Sequence, residues 1–496
     1  MGRPHPPHLP EDHHCEWRQE AEALRDDLDE TRAELGKLRD EFDVLKRHVF
    51  GRRSEKMPPV AQELRVGAPR APAQARRSEV RAEAPTVTFK HKVPDDKRRC
   101  PSCGGTDLRQ LGAGEVSVAW EYVPARIERH VHIREKLTCR CGEGIVVANA
   151  PPKPYDKSHY GPALMAHVVV AKCADSMPLY RLEKGFQRAG IPIARSTMVE
   201  LFHRTAELLA PLSRRILDHV AAHRLVHADE TPLRVLAPRQ CRRGFLWTFL
   251  TDDLVGYRFS PDRSGKTPVE VLGGTRGDLV VDLYTGYNAV TEPAGRRRVG
   301  CWAHVRRKFF DAKSGAPRAD EVLALILDLY RVEEEAKKLG LGTDAHRALR
   351  DAKSRAVCAR IRTWLEEQRN HVPPRSALGV AIAYALKQWA ALTRFLDDPT
   401  LPLDNNAAER ALRVAALGRK NFLFVGNDQA GDNLAGLYSL VATCQLHGVN
   451  PEEYLADVLI RVQTHPQQRI DELLPHRWPA LRAPPAGGAD AKAPQN

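Results

Sequence analysis

The sequence predicts a multidomain α+β protein in which an N-terminal coiled coil and a small zinc-ribbon-like domain precede a helix-turn-helix region and an α/β core. Three observations carry that expectation. An apolar seam runs along residues 16–50, two close cysteine pairs stand between short alternating segments, and apolar strands ending in acids are separated from an acid-bearing helix by a long helix-rich stretch. At 496 residues the chain is long enough for several units of ~100–200 residues each.

The bulk numbers narrow the class. A formal charge of +13, from 76 Lys and Arg against 63 Asp and Glu, makes a polyanion such as nucleic acid or an anionic membrane surface a natural partner. No window approaches ~18 consecutive apolar residues, and residues 1–12 are rich in Pro and His, unlike a charged start followed by an apolar run. A soluble, unexported, cytoplasmic chain with no membrane contact is expected. The ten cysteines do not form a dense framework, so a reducing compartment with the close pairs as metal ligands is the reading.

Leu24, Leu28, Thr31, Leu35, Leu38, Phe42, Leu45 and Val49 alternate steps of four and three, which keeps one seam on one side of a helix for more than three heptads. This predicts a coiled coil over 16–50 and a homo-oligomer built on it, the alternative being one amphipathic helix docked on its own core. Gly51 supplies the stop, and residues 51–85, rich in Ala, Pro, Arg and Glu, form a linker.

Residues 86–150 hold the zinc-ribbon-like domain. Cys100 and Cys103, two residues apart on a Gly-relaxed turn, can reach one tetrahedral Zn²⁺. Cys139 and Cys141 have one intervening residue, so the fourth ligand is strained, or His130 or His132 replaces one thiolate. Alternation at residues 86–89 and again from Val116 to Ile133 suggests short strands around the pairs. Four reduced structural cysteines are the alternative.

Over 155–222, a helix from Gly161 to Val170 is followed by Pro178–Ala189, a turn at Gly190–Ile193 and a helix from Arg195 to about Leu209. That is a helix-turn-helix pattern, in which Arg195 and Ser196 at the start of the last helix would face a DNA groove. Helical hairpins without DNA give the same pattern.

The core is expected in two parts, 223–310 and 399–465. Leu225 to Thr231 reads as a strand ending at Asp229, with further strands at Gly244–Leu250 and Val255–Phe259, and Gly277–Asp282 reads as a second apolar strand ending in an acid. Acids at the ends of adjacent strands can bridge two hard cations, which prefer oxygen ligands. Glu409 lies in the first turns of a helix capped by Asp404 or Asn405 and can complete such a site, or it complements the helix dipole or pairs with Arg413. The interval from Asp282 to Glu409 is too long for one crossover, and residues 311–398 carry Ala, Leu, Glu, Arg and Lys at helical spacing, so an α-helical insertion is predicted. Residues 466–496 are assigned to a C-terminal tail.

Taken in order, Ala228-Asp229-Glu230-Thr231, Asp282 to Tyr287, Cys301-Trp302-Ala303-His304 with Arg306, Arg307, Lys308 and Phe309, Leu403 to Arg410 and Gly418 to Phe424 resemble the insertion-sequence-sixty-six transposases of TnpC type. The likeness extends from Phe50–Lys56 through the knuckle cysteines and Met177–Arg181 to Leu437–Leu440 and Asn450–Leu455. It implies an RNase H-like catalytic core and a DDE assignment of Asp229, Asp282 and Glu409. It also implies metal-dependent DNA strand cleavage and transfer at the ends of a bacterial insertion sequence, nucleoid association and small accessory proteins as partners.

In that setting Mg²⁺, with Mn²⁺ able to substitute, is the expected ion at the acids. Arg306, Arg307, Lys308, Arg410, Arg413, Arg419 and Lys420 would grip phosphates, the alternative being a solvated basic face. Cys301 and His304 are read as packing and hydrogen-bonding groups near the site rather than half of a zinc centre, and Asn405 and Asn406 as further support. A non-catalytic DNA-binding regulator, or a nuclease of the same fold that cuts without joining, are the competing functions.

Overall fold

The computed structural model describes residues 127–138, 145–156, 158–291, 293 and 295–482, with Leu28 and Thr31 from the N-terminal region. Leu28 and Thr31 are helical and exposed; the rest of the coiled-coil seam, the 51–85 linker, Cys100, Cys103, Cys139, Cys141 and everything after 482 lie outside the described residues. Next to the last two of those cysteines, β1 (Lys136–Thr138) pairs antiparallel with β2 (Ile145–Val147). Residues 127–133, expected at the end of a strand, make no ladder, and the pairing starts at Lys136 instead.

Three helices lead into the core: α1 (Pro162–Cys173), α2 (Leu179–Arg188) and α3 (Arg195–Ala222). α1 begins with Pro in its first turn, where a missing N–H costs nothing, and buries Met165, Ala166, Val168, Val169 and Cys173. α3 runs well past the Leu209 end expected from sequence, straight through Pro211. Its second half buries Leu212, Ile216 and Val220, and that packing outweighs the lost backbone hydrogen bond.

The sheet has the order β5-β4-β3-β6-β7, with β3 (Leu225–Ala237), β4 (Gln240–Leu250) and β5 (Val255–Ser260) antiparallel and β6 (Asp278–Val280) and β7 (Arg297–Val299) parallel to β3 and to each other. β3 does not end at Asp229. It continues eight residues to Ala237 because every residue from His227 to Ala237 is matched across to β4, and a two-residue turn with Arg239 at φ +63 closes the hairpin. β6 pairs only Leu225–His227, so Pro232 lies where β3 has one neighbouring strand and its missing donor is tolerated. β6 and the residue after it alternate between two cores: Leu279 and Val281 join the larger one with α3, while Val280 joins a second with the insertion.

A short helix, α4 (Lys266–Leu272), lies between β5 and β6, and the second core contains α5 (Trp302–Ala312), α6 (Ala319–Leu339), α7 (Arg355–His371) and α8 (Ala377–Lys387). Arg350, 1% exposed, fastens it to the returning chain: its guanidinium donates to both Glu333 oxygens at 2.8 Å and to the carbonyls of Phe395 (2.6 Å), Asp398 (3.1 Å) and Leu401 (3.0 Å). Arg296, fully buried, does the same at the sheet, donating to the carbonyls of Ala221 (2.6 Å) and His223 (2.9 Å) at the C-terminus of α3, where the helix dipole favours a cation.

The chain then forms α9 (Asn406–Ala411), α10 (Arg413–Phe422), α11 (Asp428–Leu446) and α12 (Pro451–Arg461). α11 lies against β5, where Ser439 and Thr443 accept from the Tyr257 and Val255 amides at 2.8 and 3.2 Å. Residues 467–482, placed in the tail by sequence, instead fold back: Ile470, Leu473, Leu474 and Trp478 enter the larger core, and Asp471 is held by Arg215 at 2.7 Å and His219 at 2.9 Å. The Pro/Ala-rich composition that marks a tail begins only after them. Among the described residues no helix is long and apolar enough to cross a membrane.

Candidate active site

Asp229 and Glu230 sit in the middle of β3, and strand alternation sends them to opposite faces. Glu230 is fully engaged on its side. Arg263 donates to it through Nε (2.8 Å) and Nη2 (2.5 Å), and the Tyr287 hydroxyl donates at 2.8 Å, while the Arg263 guanidinium also lies 4.1 Å from the centre of the Tyr284 ring. Among the described residues Asp229 has no such cation, and the hydrogen bond it accepts there comes from the Glu230 amide at 2.8 Å.

Asp282 follows β6 by two residues, and its Oδ1 accepts from the Tyr284 amide at 2.9 Å, a local turn that fixes the loop. Arg298 braces the same loop by donating to the Asp282 carbonyl at 3.3 Å and to Asn288 Oδ1 at 2.9 Å. Glu409 lies in the first turn of α9. Longer contacts reach it from His304 Nε2 at 3.8 Å and the Arg307 guanidinium at 3.7 Å.

Asn405 holds these pieces together. It occupies the N-cap position of α9, but its side chain does not cap the helix. Its carboxamide, 1% exposed, donates from Nδ2 to the Ala228 carbonyl (2.8 Å) and pairs through Oδ1 with His227 Nδ1 (3.0 Å). Its amide donates to Cys301 Sγ at 3.2 Å, and its carbonyl accepts from the Glu409 amide at 3.3 Å. Asp404 beside it receives the Tyr330 hydroxyl at 3.0 Å and the Asn406 side chain at 2.6 Å.

The electrostatics mark Asp229. Burial, then the charge of Glu230, and then those of Asp282 and Glu409 push its carboxyl up to about 7, against the hydrogen bond from the Glu230 amide. Asp229 therefore feels the charge of both other sequence-predicted acids. Among the described residues, however, no three His, Cys, Asp or Glu side chains surround one metal-sized point. Carboxylate oxygens are the donor type that a hard divalent cation prefers. Cys301 is 1% exposed and burial pushes its thiol up to about 12, so it is a protonated packing group that accepts a hydrogen bond. His304 Nδ1 is buried and without a hydrogen-bond partner among the described residues.

The basic residues are dispersed. Arg307, Arg410, Arg413 and Lys420 are exposed, whereas Arg306 and Lys308 are half-buried, with Lys308 over the Tyr384 ring at 4.6 Å. Arg419 is committed to β3, donating to Thr231 Oγ1 at 2.8 Å and the Pro232 carbonyl at 2.7 Å. Arg195 and Ser196 are exposed at the start of α3, away from the acids in sequence and on a different element. Sequence reading missed Arg263 and Arg298. The tyrosines at 284 and 287 in the Asp282 motif were the available signal for the Glu230 network, and nothing local distinguished Arg298 from its neighbours.

Comparison with known proteins gives three family matches. The Transposase IS66 family model matches residues 157–433, the IS66 C-terminal element residues 439–476, and the zinc-finger binding domain of transposase IS66 residues 97–142. Two similar proteins come from Sinorhizobium fredii (strain NBRC 101917 / NGR234). The uncharacterized protein y4hP is 32% identical, with 88% of each chain covered, and the uncharacterized protein y4jD is 35% identical over 78% of this chain and 80% of its own.

The raised Asp229 carboxyl has a measurable consequence. Between its unfolded value near 3.8 and its folded value of about 7 the native state keeps a proton that the unfolded chain has lost, so stability falls as pH rises through that window. In metal-free buffer Asp229→Asn is expected to be more stable than the parent at about pH 7.5, by on the order of 2 kcal/mol after allowance for solvent, and nearly equal at about pH 4.5. Denaturant titrations at both values check this; a variant less stable at the higher pH contradicts it.

Proposed function

The chain belongs to the IS66 transposase family, and from that membership we propose that it is a DDE transposase that cuts and joins DNA at the ends of an insertion sequence. What supports the proposal is that the charges of Asp282, after β6, and Glu409, at the start of α9, both act on Asp229 of β3, and that Asn405 bonds the Ala228 carbonyl and the Glu409 amide. The sheet order, three antiparallel strands followed by two parallel ones with a helix on β5, supports the RNase H-like reading of the core.

Mg²⁺, with Mn²⁺ as substitute, would supply activation of the attacking water and stabilisation of the departing 3′ oxygen. The protein's own part is to hold that site. Asp229, Asp282 and Glu409 would be the ligands, and Asn405 fixes the backbone on either side, at Ala228 and Glu409. Arg298 keeps the Asp282 loop in place. Exposed Arg307, Arg410, Arg413 and Lys420 bear on phosphates of the bound strand, with Arg306 and Lys308 behind them. The freed 3′-OH would then attack target DNA at the same carboxylates, with no covalent enzyme intermediate. Element-end recognition is assigned to Arg195, Ser196 and the zinc-binding domain, self-association to the 16–50 seam, and small accessory proteins complete the assembly.

The zinc-finger family match spans all four close cysteines, and this supports a structural Zn²⁺ on Cys100, Cys103, Cys139 and Cys141. Protein purified without chelator is expected to carry one zinc per chain by atomic emission, and zinc-free folded protein would refute the ligand set.

The function is tested with labelled duplex DNA carrying the flanking element ends, with Mg²⁺, comparing the parent with Glu409→Gln. Cleavage and joining by the parent, reduced about a hundredfold or more in the variant, is the expected result. Equal products place the third ligand elsewhere. Cutting without joining leaves a nuclease, and binding without cutting leaves a regulator.

A further inference from the structure

A groove of about 580 Å³ opens between α1, α2, the start of α3 and residues 421–427 at and beyond the end of α10. Aromatic rings form much of its wall. Phe202 and Phe422 line the interior, while Tyr180 and Phe424 stand at the mouth, 40% and 39% exposed. The ammonium of Lys172 lies 3.9 Å from the centre of the Phe422 ring and 5.6 Å from that of Phe202. Burial holds this lysine below its ordinary value, and among the described residues no carboxylate or carbonyl accepts from it. Leu423 adopts φ +61, a strained conformation for a branched side chain, as the chain turns from α10 toward Val425.

The surroundings are cationic as well as aromatic. Arg181 and Lys184 lie 5.8 and 5.9 Å from the Tyr180 ring, and Arg195 borders the groove. Stacking faces beside a desolvated donor and a basic rim match the chemistry of a nucleotide: a flat π-face, carbonyl and ring-nitrogen acceptors, and a phosphate. An apolar peptide would use the rings but leave the Lys172 donor without an acceptor.

The groove is also tied to the active site. Val425 hydrogen-bonds the Arg234 carbonyl at 2.9 Å and the Leu236 amide at 2.8 Å, and Arg419 on the same α10 bonds Thr231 and Pro232. From Asp229 to Val235 is six residues of β3, or ~20 Å, which equals about six base steps of a DNA strand.

We propose that this groove holds an unstacked nucleobase of a DNA strand, stacked by Tyr180 and Phe424, with Lys172 donating to an acceptor on its edge. The assignment rests on the reading of the chain as a DNA-processing transposase. It places one base of the substrate strand at a fixed distance from the carboxylates, so that the groove sets register.

The test uses the full chain without divalent metal and compares a labelled twelve-nucleotide oligothymidylate with an abasic strand of equal length. The parent is expected to bind the base-bearing strand about tenfold more tightly. The Tyr180→Ala, Phe424→Ala double variant, altered only at exposed rings and shown to be folded by its melting curve, is expected to lose that preference, and Lys172→Met to weaken it. Equal binding of both strands by the parent, or an undiminished preference in the double variant, overturns the site and leaves the groove to an apolar segment of a partner protein. Mg²⁺-dependent cleavage by the parent, measured in parallel, separates the two readings. Cleavage without base preference removes the groove assignment alone, and base preference without cleavage keeps it while removing the transposase reading.

Discussion

The buried carboxamide of Asn405 is the constraint on which the rest of the site depends. Its side chain is bonded to the backbone of the residue before Asp229, and its main-chain carbonyl receives the amide of Glu409. Two acids far apart in sequence are thereby held at the two ends of one residue's hydrogen bonds. Every polar group of Asn405 described above has a partner, so a buried polar residue here orders the structure rather than destabilising it. His227 and Cys301 complete the arrangement from β3 and the start of α5, and this gives the thiol a task that needs neither ionisation nor metal.

Such a clamp works only if the chain between Asp282 and Glu409 returns accurately. The insertion helices form their own core, and two buried guanidiniums brace the chain, one within the insertion and the segment that leaves it, the other at the sheet. Arg350 ties α6 to the carbonyls of residues 395–401, just before Asn405, and Arg296 ties the C-terminus of α3 to the strand that follows the Asp282 loop. Both donate to backbone carbonyls, which no other side chain can do with as many donors in one plane. The helical segment is therefore part of the device that positions Glu409, whatever surface it offers to DNA.

Much of this could be read in the sequence, and the exceptions have physical causes. The β-hairpin strands after Gly244 and Val255 and the start of α3 at Arg195 follow from alternation and helix signals. The eight further residues of β3 did not, because Asp229, Glu230, Thr231 and Pro232 look like a strand end until cross-strand pairing with β4 is known. Pro211 likewise hid the second half of α3. The acids were legible as strand-end and helix-start positions, but their partners were not. Arg263 and Arg298 reach Glu230 and the Asp282 loop only through the folded sheet, and nothing in local spacing carries that information, whereas Tyr287 at least lies within the Asp282 motif.

Burial, together with the charges of Glu230, Asp282 and Glu409, pushes the Asp229 carboxyl up to about 7. The proposal that these carboxylates draw a divalent cation is the core of the account. The most direct measurement is Mn²⁺ titration of the metal-free chain by electron paramagnetic resonance, with Asp282→Asn and Asn405→Leu alongside. The parent should bind Mn²⁺, Asp282→Asn should lose it, and Asn405→Leu, which keeps all three carboxylates, should bind roughly tenfold or more weakly. Unchanged Mn²⁺ binding in both variants, or none in the parent, would contradict a cation site built by these carboxylates and held by Asn405.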